Sequence, residues 1–231
     1  MFMFDPTYFI LVIPALLLAT WAQSKVRGAF EEYSRVRSRR GETGAEVARE
    51  ILRDAGLQNV SVEPTRKGTL SDHYDPREKV VRLSEDVYHR STLAAIGIAA
   101  HEAGHALQDA SNYVWLGMRN AIIPVTQFGS KMAFPLFFIG LLFRGDIGST
   151  LMLVGLVFFG AAVVFQLITL PVELNASAQA LQILQTGEYV TREEQQGVRE
   201  VLNAAALTYL AAALMAIMQF VYLFMLRGRR R

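Results

Sequence analysis

Apolar residues along this chain gather into long runs separated by polar stretches, a pattern that sets membrane-crossing elements against water-facing ones. The first run, Met1 to Ala22, is about as long as a bilayer is thick, and Trp21 at its end suits an interface. A basic cluster follows it: Lys25, Arg27, Arg35, Arg37, Arg39 and Arg40. A cleaved signal peptide carries its basic residues first and ends in a small-residue cleavage site, so the run reads as an uncleaved anchor. The positive-inside rule then puts the N-terminus outside and the next segment in the cytoplasm. Ala121 to Phe143 is mostly apolar but holds Gln127, Lys131 and two prolines, and reads as one broken span or an interfacial piece leading into a shorter span. Thr150 to Leu170 is a cleaner span with Gln166 in its body and Pro171 marking its end. Ala204 to Leu226 is the last run, followed by Arg227, Arg229, Arg230 and Arg231. Four crossings from an outside start leave this arginine tail outside, against the usual bias.

The polar stretches have a finer pattern. In Gly44 to Ala55, Val47, Ile51, Leu52 and Ala55 recur at helical spacing, and Gly56 is placed to stop the helix. Asn59 to Glu63 alternates as a short strand would, with Pro64 to end it, and Lys79 to Leu83 is a second strand. The intervening Thr69 to Pro76 is rich in turn residues. Ser91 to Asp109 reads as a helix, capped by Ser91 or Thr92, rich in Ala and Leu and free of proline. A later helix is expected from Glu173 to Leu184. The predicted organisation is an anchor (1–23), a catalytic region (24–120), transmembrane segments (121–171), a polar helical segment (172–203), and a final span with its basic tail (204–231).

Composition narrows the chemistry. The chain has 231 residues and no cysteine, which removes disulfides, thiolate ligands and a cysteine nucleophile. Any metal must be held by histidine and carboxylate, a donor set that suits zinc. A net charge of +2 is too small to suggest a nucleic-acid partner.

The helix from Ser91 carries His101-Glu102-Ala103-Gly104-His105. One helical turn separates the two histidines, so both can serve one ion, and Glu102 lies beside them as a general base for water. Only four histidines occur in the chain, which makes this spacing hard to ascribe to chance. A catalytic zinc needs a third protein ligand. Asp109 is roughly 12 Å along the helix from His101, too far to share one ion. Glu173 follows a span that returns the chain to the side of the histidines, and is the favoured ligand over His73, His89 and Asp75. The expected fold is a mainly α membrane protein: several transmembrane helices plus a zincin-like catalytic domain of the HExxH, gluzincin type with a small sheet. Asp109, Asn175 or Ser177 would orient a ligating histidine. His73 and Tyr74 are candidates for stabilising the oxyanion, with Tyr209 behind them. Val80, Val81, Arg82 and Leu83 are candidates for an edge strand that holds extended substrate.

The segments LSDHYDP (Leu70 to Pro76), VVRLSEDVYH (Val80 to His89), AAHEAGHALQ (Ala99 to Gln108), LPVELNAS (Leu170 to Ser177) and VLNAAALTYLAAAL (Val201 to Leu214) together resemble the YugP-like family of membrane zinc metallopeptidases. The resemblance runs over nearly the whole chain. It implies a membrane-bound neutral zinc peptidase with ligands His101, His105 and Glu173, and catalysis at Glu102. HtpX-type and CAAX-processing membrane proteases are similar at greater distance. They usually carry an aspartate four residues after the ligand glutamate, where this chain has Ser177.

The expected activity is hydrolysis of peptide bonds by an integral-membrane zinc endopeptidase, with Zn2+ as cofactor and polypeptides, among them membrane or unfolded proteins, as substrates. A multi-pass protein of the plasma membrane, its site facing the cytoplasm, fits the charge pattern. The alternatives are a membrane zinc transporter and a catalytically silent zinc-binding scaffold. Small residues in Ala204 to Ala216 suit helix packing within one chain or between chains, so an oligomer is left open.

Overall fold

A computed structural model describes residues 5–229 of the chain, leaving Arg230 and Arg231 of the basic tail outside the described residues. Its elements are α1 (Pro6–Tyr33), α2 (Gly44–Asp54), β1 (Ser61–Thr65), β2 (His73–Asp75), β3 (Val80–Ser84), α3 (Glu85–Tyr88), α4 (Leu93–Ala110), α5 (Val114–Leu142), α6 (Gly145–Thr186) and α7 (Arg192–Gly228). The chain is a mainly α membrane protein in which α1, α5, α6 and α7 are each long and apolar enough to cross a bilayer.

These helices extend beyond the apolar runs that predicted them. α1 continues past the anchor to Tyr33, and α7 begins at Arg192, well before the last apolar run. Pro171 does not end the helix that holds the third apolar run, because α6, 42 residues in all, passes through it. Pro124 and Pro135 likewise lie inside a single α5. Hydropathy locates the apolar residues, whereas the helical backbone needs only good helix formers to continue, and Gln, Glu, Arg and Ala supply them here. Proline within an apolar helix is tolerated where neighbouring groups take up the freed carbonyl.

Two compact units divide the chain. The first comprises Met1–Ala22, Gly117–Pro171 and Thr208–Arg231. Its core includes Val12, Phe137, Leu141, Leu156 and Tyr222. A Cβ on Gly155 would stand 2.7 Å from both the Ala133 carbonyl oxygen and the Phe137 nitrogen, so α5 and α6 approach here more closely than a side chain permits. Arg229 donates to Asp5 Oδ2 (2.8 Å) and Thr7 Oγ1 (2.6 Å), joining the end of α7 to the start of α1.

The second unit comprises Gln23–Leu116 and Val172–Leu207. Thr43 and Glu46 form a capping box that starts α2, whose Val47, Ala48, Ile51 and Leu52 are buried. The sheet has the order β1-β3-β2, with β1 parallel and β2 antiparallel to β3. Alternation along the strands puts Val62, Tyr74, Val81 and Leu83 in the core with Ile96, Ala99 and Ala103 of α4. Arg82 faces the other way, among Glu63, Asp75 and Glu78.

Three strand expectations are corrected. β1 begins at Ser61 and contains Pro64, which an edge strand can accommodate. The turn-rich stretch contains a strand, β2, too short for a periodicity argument to detect. Val80, Val81, Arg82 and Leu83 lie in the central strand, paired on both edges, so they offer no free edge to a peptide.

Candidate active site

The site is built within the second unit, from α4 and the segment of α6 after Pro171. Thr92 caps α4, its side chain accepting from the Ala95 N–H. Helical spacing then brings the His101 and His105 rings to 4.7 Å between centroids. Glu173 is in the body of α6 and not in a first turn, contrary to expectation. Its Oε2 is 3.3 Å from His101 Nε2 and 3.6 Å from His105 Nε2. Gly104 is what allows this approach. A Cβ there would stand 3.0 Å from the Ala176 carbonyl oxygen, so α4 packs on the α6 backbone itself.

These three side chains fit zinc. Among the described residues, His101, His105 and Glu173 form a group whose donor atoms all lie within 4.8 Å of one another. Tetrahedral zinc with bonds of about 2.0–2.1 Å needs ligand atoms about 3.3–3.4 Å apart, close to the observed separations. The side chains of His101, His105 and Glu173 are only 12%, 7% and 5% exposed. Burial alone would lower the His105 pKa, but the Glu173 and Glu102 carboxylates more than offset it and the pKa is raised. The pocket is thus one that favours positive charge. Glu102 is buried beside the two histidines on α4.

Behind the ligands lies a ring of neutral polar groups. Ser177 Oγ is 3.1 Å from His101 Nδ1, and Gln108 Oε1 is 3.0 Å from His105 Nδ1. The Gln108 amide nitrogen donates to the Val172 carbonyl and to Asn175 Oδ1, each at 2.8 Å. Asn175 therefore reaches His105 only through Gln108. Sequence reasoning missed Gln108, although its place three residues after His105 on the same helix face was a usable signal. Asp109 turns to other partners, accepting from Tyr74 Oη (2.7 Å) and Lys79 Nζ (2.6 Å).

The oxyanion candidates also make their bonds elsewhere. Burial, and then the bond to Asp109, push the Tyr74 pKa up and keep its hydroxyl engaged. His73 pairs in register with Arg82, on the face turned away from the core, and its Nδ1 lies 2.8 Å from the Ser71 carbonyl. The rival ligands are placed similarly: His89 pairs with Glu85 at an exposed position, and Asp75 accepts from the Arg77 N–H.

Asp72 is a further residue missed by the sequence reading. It accepts from the Ser84 N–H (2.7 Å) and the Ser84 hydroxyl (3.1 Å). Burial, reinforced by the charge of Glu102, raises its pKa to about 6. One end of β2 is thereby placed in electrostatic reach of Glu102, while Tyr74 binds Asp109 farther along α4. The short edge strand runs beside the metal helix.

Comparison with known proteins agrees with this chemistry. A family model described as "Putative neutral zinc metallopeptidase" matches residues 8–228. The chain is 50% identical over 225 residues to a "Putative membrane protease YugP" of Bacillus subtilis (strain 168), covering 96% of this chain and 98% of that one. No solved structure matches. With the match spanning almost every described residue and two histidines and a glutamate gathered at the separations zinc requires, the chain belongs to the neutral zinc metallopeptidase family.

Proposed function

We propose that this membrane protease homologue is a zinc endopeptidase of the HExxH-plus-glutamate, gluzincin type, with His101, His105 and Glu173 as ligands and Glu102 as general base. The observation that carries the reading is the convergence of the three donor atoms next to a buried fourth group, Glu102, that belongs to the same helix turn. Bound zinc would polarise the scissile carbonyl and acidify a water molecule. Glu102 takes the proton from the attacking water and delivers it to the departing amine nitrogen. His101, His105 and Glu173 hold the ion, and the packing of Gly104 on Ala176 keeps the two helices at the required spacing. The extended substrate pairs with β2, the edge strand beside α4, in the role the sequence reading gave to β3. The transport alternative gains no support, since His101 and His105 lie on α4, which is not among the four candidate spans.

The polar segment after the anchor carries the chain's largest basic cluster, Lys25 to Arg40, which favours a cytoplasmic site. The test is metal content and casein cleavage by detergent-purified wild type, Glu102→Gln and Glu173→Ala. Glu102→Gln should keep zinc and lose at least a hundredfold in activity, whereas Glu173→Ala should lose zinc. Bound peptide on Glu102→Gln should also slow hydrogen exchange in residues 72–76. Full zinc in Glu173→Ala would remove the third ligand, and unchanged cleavage by Glu102→Gln would remove the base.

A further inference from the structure

We infer that Gln108 is a positioning residue: its side-chain amide fixes the orientation and tautomer of His105 and joins that ligand to the helix that carries Glu173. The Val172 carbonyl can only accept, so the Gln108 atom 2.8 Å from it must be the amide nitrogen. The second hydrogen on that nitrogen points to Asn175 Oδ1, also 2.8 Å away, and Asn175 Oδ1 is held in turn by the Gln179 amide. The amide is therefore not free to flip. Its oxygen must face His105 Nδ1, 3.0 Å distant, and an amide oxygen can only accept. His105 accordingly carries a proton on Nδ1 and directs Nε2, the atom nearest Glu173, at the metal position. Gln108 is fully buried, so no water competes for these bonds.

The same residue couples two elements. Val172 and Asn175 flank Glu173 in sequence, and Gln108 holds both. One side chain thus sets the rotation of the α6 turn bearing Glu173 and the ring plane of His105. The support is neutral, as it is at His101, where Ser177 provides the contact. A carboxylate acceptor would make the imidazole more basic; an amide leaves it closer to ordinary.

This inference rests on the zinc-site reading, and the experiment separates the two. Zinc affinity is measured by chelator competition on the full chain in detergent for wild type, His101→Ala, Gln108→Leu and Gln108→Glu. The imidazole resonances of zinc-loaded, 15N-histidine-labelled protein are recorded alongside. The expected result is a 10- to 100-fold weaker affinity in Gln108→Leu and a slowly exchanging His105 Nδ1–H in wild type that is lost in Gln108→Leu. Gln108→Glu still presents an oxygen to Nδ1–H and should keep that slowly exchanging proton, although it loses the donors to Val172 and Asn175 and with them part of the zinc affinity. If Gln108 only tied α4 to α6, the slowly exchanging His105 Nδ1–H would survive in Gln108→Leu or be lost from Gln108→Glu as well. Either outcome overturns the inference, as does unchanged zinc affinity in Gln108→Leu. If Gln108→Leu does not fold, a wild-type His105 that carries its proton on Nε2 overturns it as well. Wild-type zinc affinity in His101→Ala would instead overturn the metal site itself.

Discussion

At the scale of single residues, the site is organised by what each polar group must pair with once it is buried. Asp72 shows the cost of such burial. Its carboxyl has a pKa raised from 3.8 to about 6, by desolvation first and by the nearby charge of Glu102, against the lowering effect of the Ser84 N–H. Because the folded protein holds this proton to a higher pH than the unfolded chain does, the native state binds more protons between the two values. The contribution of Asp72 to stability is fully present below about pH 4 and is lost as pH rises through 6, by an amount on the order of 3 kcal/mol. Asp72→Asn keeps an oxygen for the Ser84 N–H and removes the charge. Thermal unfolding of metal-free protein between pH 4 and 8 should show a flatter profile for this variant, with stability at pH 7 at least equal to wild type. A deficit of more than about 1 kcal/mol at pH 7, the net worth of a hydrogen bond, would mean that the fold uses the ionised form. The residues that sequence could name were those of the HEAGH turn, because spacing along one helix is written in the chain. Gln108, Asp72 and the diversion of Asp109 to Tyr74 and Lys79 were not legible, since they depend on which groups other elements bring up.

At the scale of elements, the site depends on the distance between α4 and α6. Gly104 sets it, with the Ala176 carbonyl oxygen 3.0 Å from the position a Cβ would take. Two effects compete in a substitution. Alanine gains about 1 kcal/mol of helix propensity over glycine, and a displacement of a few tenths of an ångström relieves its contact. Valine adds branching and bulk that this displacement does not accommodate. Gly104→Ala should therefore unfold at about the wild-type temperature with zinc affinity reduced a few-fold, and Gly104→Val should lose at least tenfold in zinc affinity. Chelator competition and thermal unfolding on the same preparations measure both. Wild-type zinc affinity in Gly104→Val would show that the helix spacing does not control the ligand geometry. The sequence revealed α2, α4 and β3 because periodicity and caps mark them. It put β3 at a sheet edge where the structure has it central, as pairing partners are not encoded in any one strand. It also ended α6 at Pro171, where Glu173 needs the helix to continue, because hydropathy ends at that proline and the backbone does not.

At the scale of the whole molecule, the proposed crossing of every candidate helix would decide on which side the ends of α1 and α7 lie. Among the described residues four helices have the length and composition of spans, and an even number of crossings returns the chain to the side on which it began. The Arg229 to Asp5 and Thr7 bonds agree, since they hold the end of α7 against the start of α1. In the proposed topology Arg229 shares a side with Asp5, and the larger cluster from Lys25 to Arg40 would outweigh it under the positive-inside rule, assigning the segments after the first and third spans to the cytoplasm. Arg229 is partly neutralised by its pairing with Asp5, which lessens the tail's weight in that competition. The chain contains no cysteine, so single substitutions report topology without background. Lys67→Cys, exposed in the segment between β1 and β2, should resist a membrane-impermeant maleimide in intact cells and react after lysis. Arg144→Cys, exposed in the turn between α5 and α6, should react in intact cells. Both residues are exposed and lie outside the helices that carry the ligands, so each variant should keep its zinc and serve as its own control for folding. The reverse labelling pattern would place the active site outside, and labelling of both in intact cells would mean that one of the four helices does not cross.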